Sequence, residues 1–449
     1  MKPFASHQLS GLFLLFLLGT GVLTGCTDGV TSNDFEPVSD GVLQSKTRHA
    51  NLLAQATKRQ IAGKSASQSG LIFSLDTQAI LERYGTLEPT AILERYAILE
   101  RYGIIERYSY KDVFTGFAIW VDTPHVVELI KAMDRDPDIA WVEPDVYLHP
   151  LPMPLAVSTR GGELSPWGAV RMGLTGHSAR DVDLYVIDTG VSNDDINVVE
   201  RLDFREGLDD PVDHDGHGTH IAGIAAAIHN ARGLAGIAGG ARVHSLKVIN
   251  GDEVDNGGEV ELAEAVAAVE YVTHQKIASP DKPMVANMSL GADMGSEVYN
   301  ALDDAVASAI SKGVTFVVAA GNYGSDAAMI SPAHVRDAIT VGAYDQSDNF
   351  ANFSNYGEIV DILAPGVNVV SLATEAVGQT NSLMIMDGTS QAAAFVSGTA
   401  ALYLSMVPHA SPAQVRFALL EHSRKMIHNV PSGTTDRTID VTKIESDDD

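Results

Sequence analysis

Asp183-Leu184-Tyr185-Val186-Ile187-Asp188-Thr189-Gly190 is the stretch that decides the fold. Its β-branched and aromatic centre reads as a buried strand, and Thr189-Gly190 as the turn that ends it. Asp188 then stands at the carboxyl end of the strand. In a parallel α/β sheet that is the edge where binding and reaction sites are built.

Two further segments carry chemistry-bearing side chains into helices. His214-Asp215-Gly216-His217-Gly218-Thr219-His220 opens an Ala-rich helix through Ile228. Asp387-Gly388-Thr389-Ser390-Gln391-Ala392 opens a second small-residue helix through Leu404. The order is Asp, His, Ser. The α/β-hydrolases run Ser, acid, His, and the chymotrypsin type runs His, Asp, Ser. These three segments, in this order, resemble the Asp, His and Ser boxes of the subtilisin family, with features of both the subtilisin and proteinase K branches. The resemblance covers roughly residues 165–425. It implies an α/β, three-layer fold with a mostly parallel central sheet, and a serine endopeptidase.

The family's chemistry assigns roles residue by residue. Ser390 attacks the peptide carbonyl, His217 moves the proton, and Asp188 fixes the imidazole tautomer. Ser390 opens a helix, so its backbone N–H sits at the positive helix end and serves as one oxyanion donor. The resemblance makes Asn322, at the end of Val317-Val318-Ala319-Ala320-Gly321-Asn322, the second donor. His214, Asp215 and His220 could suggest zinc. The protease-like spacing argues against it, and His220 reads as a structural histidine.

Substrate binding is expected at Asn287-Met288-Ser289-Leu290-Gly291, with Ser289, Leu290 and Gly291 lining an extended peptide. Main-chain pairing of this kind is blind to side-chain identity. Gly291 and Ala319–Gly321 would wall the primary pocket, with Met329 or Ile330 at its floor. That implies apolar or aromatic residues before the cut. The chemistry needs no cofactor. By the same resemblance, structural calcium is expected at Asn230, in Ile228–Leu234, and at Asp361 with the carbonyls of Arg336 and Ala338; oxygen ligands suit it. Three positions depart from the family. Ala394 and the Gly239-Gly240 pair stand where proline is usual, and Gln391 replaces a methionine, which removes an oxidisable sulfur beside the serine.

Upstream, Val113–Ile119 reads as a strand, Thr123-Pro124 as a helix start, and Val126–Met133 as an amphipathic helix. Ile139–Asp145 is a second strand. These pieces resemble the inhibitory propeptide of subtilisin-like proteases, a small ferredoxin-like α/β domain. Four pentads precede or overlap them: Ile80–Tyr84, Ile92–Tyr96, Ile98–Tyr102 and Ile104–Tyr108, each Ile-(Leu/Ile)-Glu-Arg-Tyr. Six residues turn a helix through about 600°, so the spacing of the last three keeps no steady helical stripe. The repeat reads as a duplicated coding stretch in a loop or helix extension, or as a docking element. Pro150, Pro152 and Pro154 favour an extended, cleavable linker.

The N-terminus reads as a targeting segment. Lys2 precedes the apolar run Leu9–Leu18, which is too short to span a membrane, and Leu23-Thr24-Gly25-Cys26 resembles a bacterial lipoprotein box. Cys26 is the sole cysteine, so no intramolecular disulfide is expected. The expected organisation is a lipoprotein-type signal over 1–25, a tether over 26–70 and a propeptide over 71–150. A linker holding the maturation cut follows over 151–164, then the catalytic domain over 165–428 and an acidic tail over 429–449. The precursor would be exported and anchored in the cell envelope through lipid on Cys26, and the mature enzyme released. With 58 acidic against 30 basic side chains, the net charge of -28 disfavours nucleic acid as a partner. Protein or peptide substrates and the chain's own propeptide are the expected partners.

Overall fold

The computed structural model describes residues 68–84, 104–122, 126–133, 135–150, 154–157, 163–174, 176–249, 260–294, 300–374 and 382–444. The signal, Cys26, the Thr123-Pro124 cap, the two middle pentads and Glu445–Asp449 lie outside them. The tether lies outside as well, except that a first strand already begins at Gln68.

The N-terminal unit runs β1 (Gln68–Leu75), α1 (Thr77–Tyr84), β2 (Ile105–Tyr110), β3 (Gly116–Asp122), α2 (Val126–Met133) and β4 (Ile139–Pro144). Its antiparallel sheet has the order β2-β3-β1-β4, which is the β-α-β-β-α-β ferredoxin-like arrangement. Alternation along the strands splits the side chains between two faces. Leu71, Phe73, Phe117 and Ile119 pack with Leu129, Ile130 and Met133 under the helices. Ile72, Tyr110 and Ala118 face the other way and join a core of the larger unit.

Short strands β5 (Tyr147–Pro150) and β6 (Pro154–Val157) and helix α3 (Trp167–Met172) lead into that larger unit. There follow β7 (Asp183–Asp188), β8 (Val198–Asp203), α4 (His217–Ala226), β9 (Arg242–Lys247), β10 (Val260–Glu261), α5 (Leu262–Ala278), β11 (Met284–Met288) and β12 (Leu290–Asp293). Next come α6 (Ala301–Ser311), β13 (Thr315–Ala319), β14 (Ile330–Ser331), β15 (Ile339–Tyr344), β16 (Ile362–Pro365), β17 (Val369–Leu372) and β18 (Leu383–Met386). The chain ends with α7 (Thr389–Met406), α8 (Pro412–Glu421), β19 (Ser423–Lys425), β20 (Arg437–Ile439) and α9 (Val441–Ile444).

The central sheet has the order β19-β20-β16-β15-β13-β11-β7-β9-β8 and is parallel except for the β19–β20 pair. Its inner strands are buried on both faces, which is why β7, β11, β13 and β15 carry near-continuous apolar runs. On one face α4 and α7 close the larger core; on the other, α5 and α6 close a second. The expected boundary at residue 428 falls too early. Thr438 of β20 pairs with Leu363 of β16, and Val441 and Ile444 are buried in the core. A three-residue strand has too little sequence to announce itself, so only its tertiary pairing marks it.

Candidate active site

Strand β7 is held between β9 and β11, and this fixes its last residue, Asp188, which is buried. Helix α4 starts at His217. A Cβ on Gly218 would lie 2.2 Å from the Gly190 carbonyl oxygen, so only glycine lets the helix start this close to the end of β7. The closeness brings His217 Nδ1 to 2.8 Å from Asp188 Oδ1. A carboxylate only accepts, so Nδ1 carries the proton and Nε2 is the basic nitrogen. Nε2 is buried with no hydrogen-bond partner among the described residues. Burial alone would lower the imidazole's proton affinity. The adjacent Asp188 carboxylate outweighs it, and the net shift is above the ordinary histidine value.

A residue the sequence reading passed over ties this corner together. Asp213 is fully buried; Oδ1 accepts from Thr189 Oγ1 at 2.9 Å and from the Gly216 N–H at 2.8 Å, and Oδ2 accepts from the Thr219 N–H at 3.0 Å. It thus fastens the turn after β7 to the start of α4. Burial pushes its carboxyl up to about 6. The signal was there: an aspartate four residues before His217, beside the histidine-rich run.

Ser390 is the second residue of α7, the long helix against which α4 packs. Its Oγ donates to the Ser289 carbonyl at 3.3 Å, and Ser289 Oγ donates to the Ser390 carbonyl at 3.2 Å. Asn287 Nδ2 donates to Ser289 Oγ at 2.9 Å, and Ser397 Oγ to Asn287 Oδ1 at 2.9 Å. The serine is therefore locked to the end of β11. Asn322 follows β13. Its Oδ1 accepts from Thr389 N at 2.9 Å and Thr389 Oγ1 at 2.8 Å, which leaves Nδ2 buried beside the Gly388–Ser390 turn with no partner among the described residues. Asn355 holds that loop: its Nδ2 donates to the Ala320 carbonyl at 2.9 Å, and its Oδ1 accepts from the N–H groups of Tyr323 and Ser325, each at 3.0 Å.

The other histidines have ordinary partners. His214 Nε2 lies 2.8 Å from Asp210 Oδ2 at the surface. His220 Nε2 donates to the carbonyls of Val369 and Met384, and burial lowers its pKa to about 3, so it stays neutral as a tie between β17 and β18. Gln391 Nε2 lies 3.5 Å from Met386 Sδ, so a buried sulfur is still a near neighbour of the serine's own helix turn.

Leu290 and Gly291 belong to β12. On one side β12 pairs with β14, and on the other with β5, Leu290 opposite Pro150 and Gly291 opposite His149. The far edge of β5 pairs with β10, Val260 opposite Leu148. A Cβ on Gly291 would fall 3.1 Å from Ile330 Cγ2, and one on Gly321 3.5 Å from Ile330 Cγ1. Ile330 therefore stands between the two expected pocket walls.

Both expected calcium positions are engaged by protein donors. Asp361 is ion-paired with Arg416 through one oxygen and accepts from the Thr340 N–H with the other. Around Asn230, Asp195 Oδ1 accepts from Asn230 Nδ2 at 2.6 Å and Glu163 accepts from the N–H groups of Asn230 and Ala231. Asn230 Oδ1 accepts from the Arg232 N–H at 3.1 Å, and Arg232 Nε lies 3.6 Å from Asp195 Oδ1. Burial raises the Asp195 carboxyl. Among the described residues no cluster of three or more His, Cys, Asp or Glu is placed to hold a metal ion. No helix among them is long and apolar enough to cross a membrane.

The chain is similar to several known proteinases. The chain is 33% identical over 327 residues to a subtilase-type proteinase, psp3, of Schizosaccharomyces pombe, covering 68% of this chain and 67% of that one. It is 39% identical over 248 residues to an extracellular serine proteinase of a Thermus strain, covering 54% of this chain and 55% of that one. The match to M-protease of Shouchella clausii is 35% identical over 298 residues, covering 64% of this chain and 70% of that one. The chain thus spans about half to two thirds of the length of these relatives. A crystal structure of a cold adapted subtilisin-like serine proteinase superposes with a TM-score of 0.53 at 30% identity, covering 61% of this chain and 97% of that one. The model of the subtilase family matches residues 179–439, more than half of the 449-residue chain. The chain belongs to the subtilase family of serine peptidases.

Proposed function

We propose that this protein is an endopeptidase made as a precursor that blocks its own substrate groove. The observation that carries the reading is β5. An extended segment of the chain lies antiparallel between β10 and β12, hydrogen-bonded on both edges, in the manner of a bound peptide. Residues 71–150 would then be the inhibitory pro-region. Cleavage in 151–164, part of which lies outside the described residues, would free the groove.

In the reaction, His217 Nε2 takes the proton of Ser390 Oγ as that oxygen attacks the scissile carbonyl. The same nitrogen then protonates the leaving amine, and water repeats the sequence to release the acyl group. Asp188 keeps the imidazole in the tautomer that makes Nε2 basic. The Ser390 N–H and Asn322 Nδ2 receive the negative charge that develops on the carbonyl oxygen. Extended peptides with apolar or aromatic residues before the cut suit the pocket beside Ile330.

A fluorophosphonate probe tests this directly. The matured protein should be labelled at Ser390, found by peptide mass, and the intact precursor much more slowly. An unlabelled mature protein would point instead to a silent binding protein on the same fold. The signal segment and Cys26 support export, with the lipid on the pro-region, so that maturation releases the catalytic unit. Calcium would be held by Asn230, Asp195 and Glu163 only with the Asn230 amide turned so that its oxygen faces Asp195, and would serve stability only. At a hundredfold excess over Kd, one ion adds about 2.7 kcal/mol. Chelation should therefore lower Tm by about 5–10 °C; an unchanged Tm with EDTA would remove calcium from the account.

A further inference from the structure

The last pentad is not a loose loop. Ile105–Tyr110 is β2, and the side chain of Arg107 within it is fully buried at the boundary of the two units. Its guanidinium stacks on Trp120, 3.8 Å from the ring centroid, and pairs with Asp145 of its own unit. The same guanidinium pairs with two carboxylates of the larger unit, Glu206 at 2.5 Å and Glu261. Trp120 Nε1 also donates to Glu206 at 2.9 Å, and Glu264 Oε1 accepts from the Glu206 N–H. The next residue follows suit: Tyr108 Oη donates to the Phe204 carbonyl at 2.8 Å. Arginine suits such a socket, because its planar fork can serve several carboxylates while its face stacks on an indole.

We propose that Glu206, Glu261 and Glu264 form an acidic socket on the catalytic unit that recognises the Arg-Tyr pair of the pentad, and that this is how the enzyme selects and holds its own pro-region. The occupant is the chain's own repeat. The inference rests on reading residues 71–150 as a pro-region. It deepens that reading by naming a side-chain contact that adjoins the substrate groove, since Glu261 belongs to β10. Breaking a buried ion pair strands the remaining charges in low dielectric, so loss of Arg107 is far more costly than loss of a surface pair. The six-residue spacing of the last three pentads adds a consequence. Deleting 103–108 joins Ile98–Tyr102 directly to Ser109-Tyr110, which offers Arg101 to the socket in place of Arg107.

Amide hydrogen exchange on the full-length Ser390→Ala precursor reads docking without needing activity. Arg107→Gln should speed exchange in 105–110 and along α5 by about tenfold or more, with β7 unchanged. Glu206→Gln combined with Glu261→Gln should do the same while β1 and β3 stay protected, which separates undocking from unfolding of the small unit. Deletion of 103–108 should keep protection, and adding Arg101→Gln should abolish it. Unchanged exchange in Arg107→Gln, or loss of protection in the deletion as complete as in Arg107→Gln, would overturn the proposal. Both outcomes are independent of whether the serine labels with fluorophosphonate.

Discussion

Ser390→Ala will lower turnover on a peptide substrate by about 10⁶-fold, the scale on which a triad working as a unit fails when its nucleophile is removed. Measured after the pro-region is removed by an added protease, the loss belongs to kcat and not to KM, because among the described residues Ser390 Oγ bonds the Ser289 carbonyl while the walls of the groove are other residues. Residual activity of about 10³–10⁴ over water should persist from the oxyanion donors and binding. The same variant reports on maturation. If the enzyme cuts itself, the variant accumulates as a species that keeps residues 71–150 attached, seen by size and N-terminal sequencing. Normal processing would assign the cut to another protease, and a kcat loss below about a hundredfold would remove Ser390 as the nucleophile.

Asn322→Leu will lower kcat by about 10²–10³ with KM nearly unchanged, the loss known for removing one oxyanion donor from subtilisin. The geometry explains why the effect should sit in the transition state. Asn322 Oδ1 is already engaged by Thr389, which orients the amide and leaves Nδ2 buried with no partner among the described residues. A donor held ready in this way gains most from a full negative charge and little from a ground-state carbonyl. Thr389→Val is the control for orientation. It keeps Nδ2 but removes the hydroxyl that holds Oδ1, so its loss should be smaller. Equal losses in both variants would make Asn322 a structural residue of the turn.

The residues proposed to carry the reaction could be picked out because their settings are local. Asp188, His217 and Ser390 each sit where an element begins or ends, and element ends can be read from a few residues. Asp213 could be seen beside the histidine-rich run, but its role could not, because its hydrogen bonds depend on Thr189 and Thr219 meeting across separate segments. Asp361 misled for the matching reason: its partner, Arg416, lies 55 residues away on α8. The last strand of the sheet, β20, was likewise invisible until β16 was beside it.

The pentads draw the line most clearly. By itself the sequence determined the order of the three reactive boxes, the strand-to-turn that presents Asp188, and the helix starts that present His217 and Ser390. It could not assign a conformation to Ile-(Leu/Ile)-Glu-Arg-Tyr. One copy, Ile80–Tyr84, lies in α1 with Ile80 in the core of the small unit. Another, Ile104–Tyr108, runs into β2 and buries its arginine. Five residues cannot outvote their surroundings. Intrinsic preferences differ by less than about 1 kcal/mol per residue, whereas burying one apolar side chain is worth about 1.5–3 kcal/mol. Tertiary packing therefore decided which copy became helix, which became strand, and which arginine met the acidic socket.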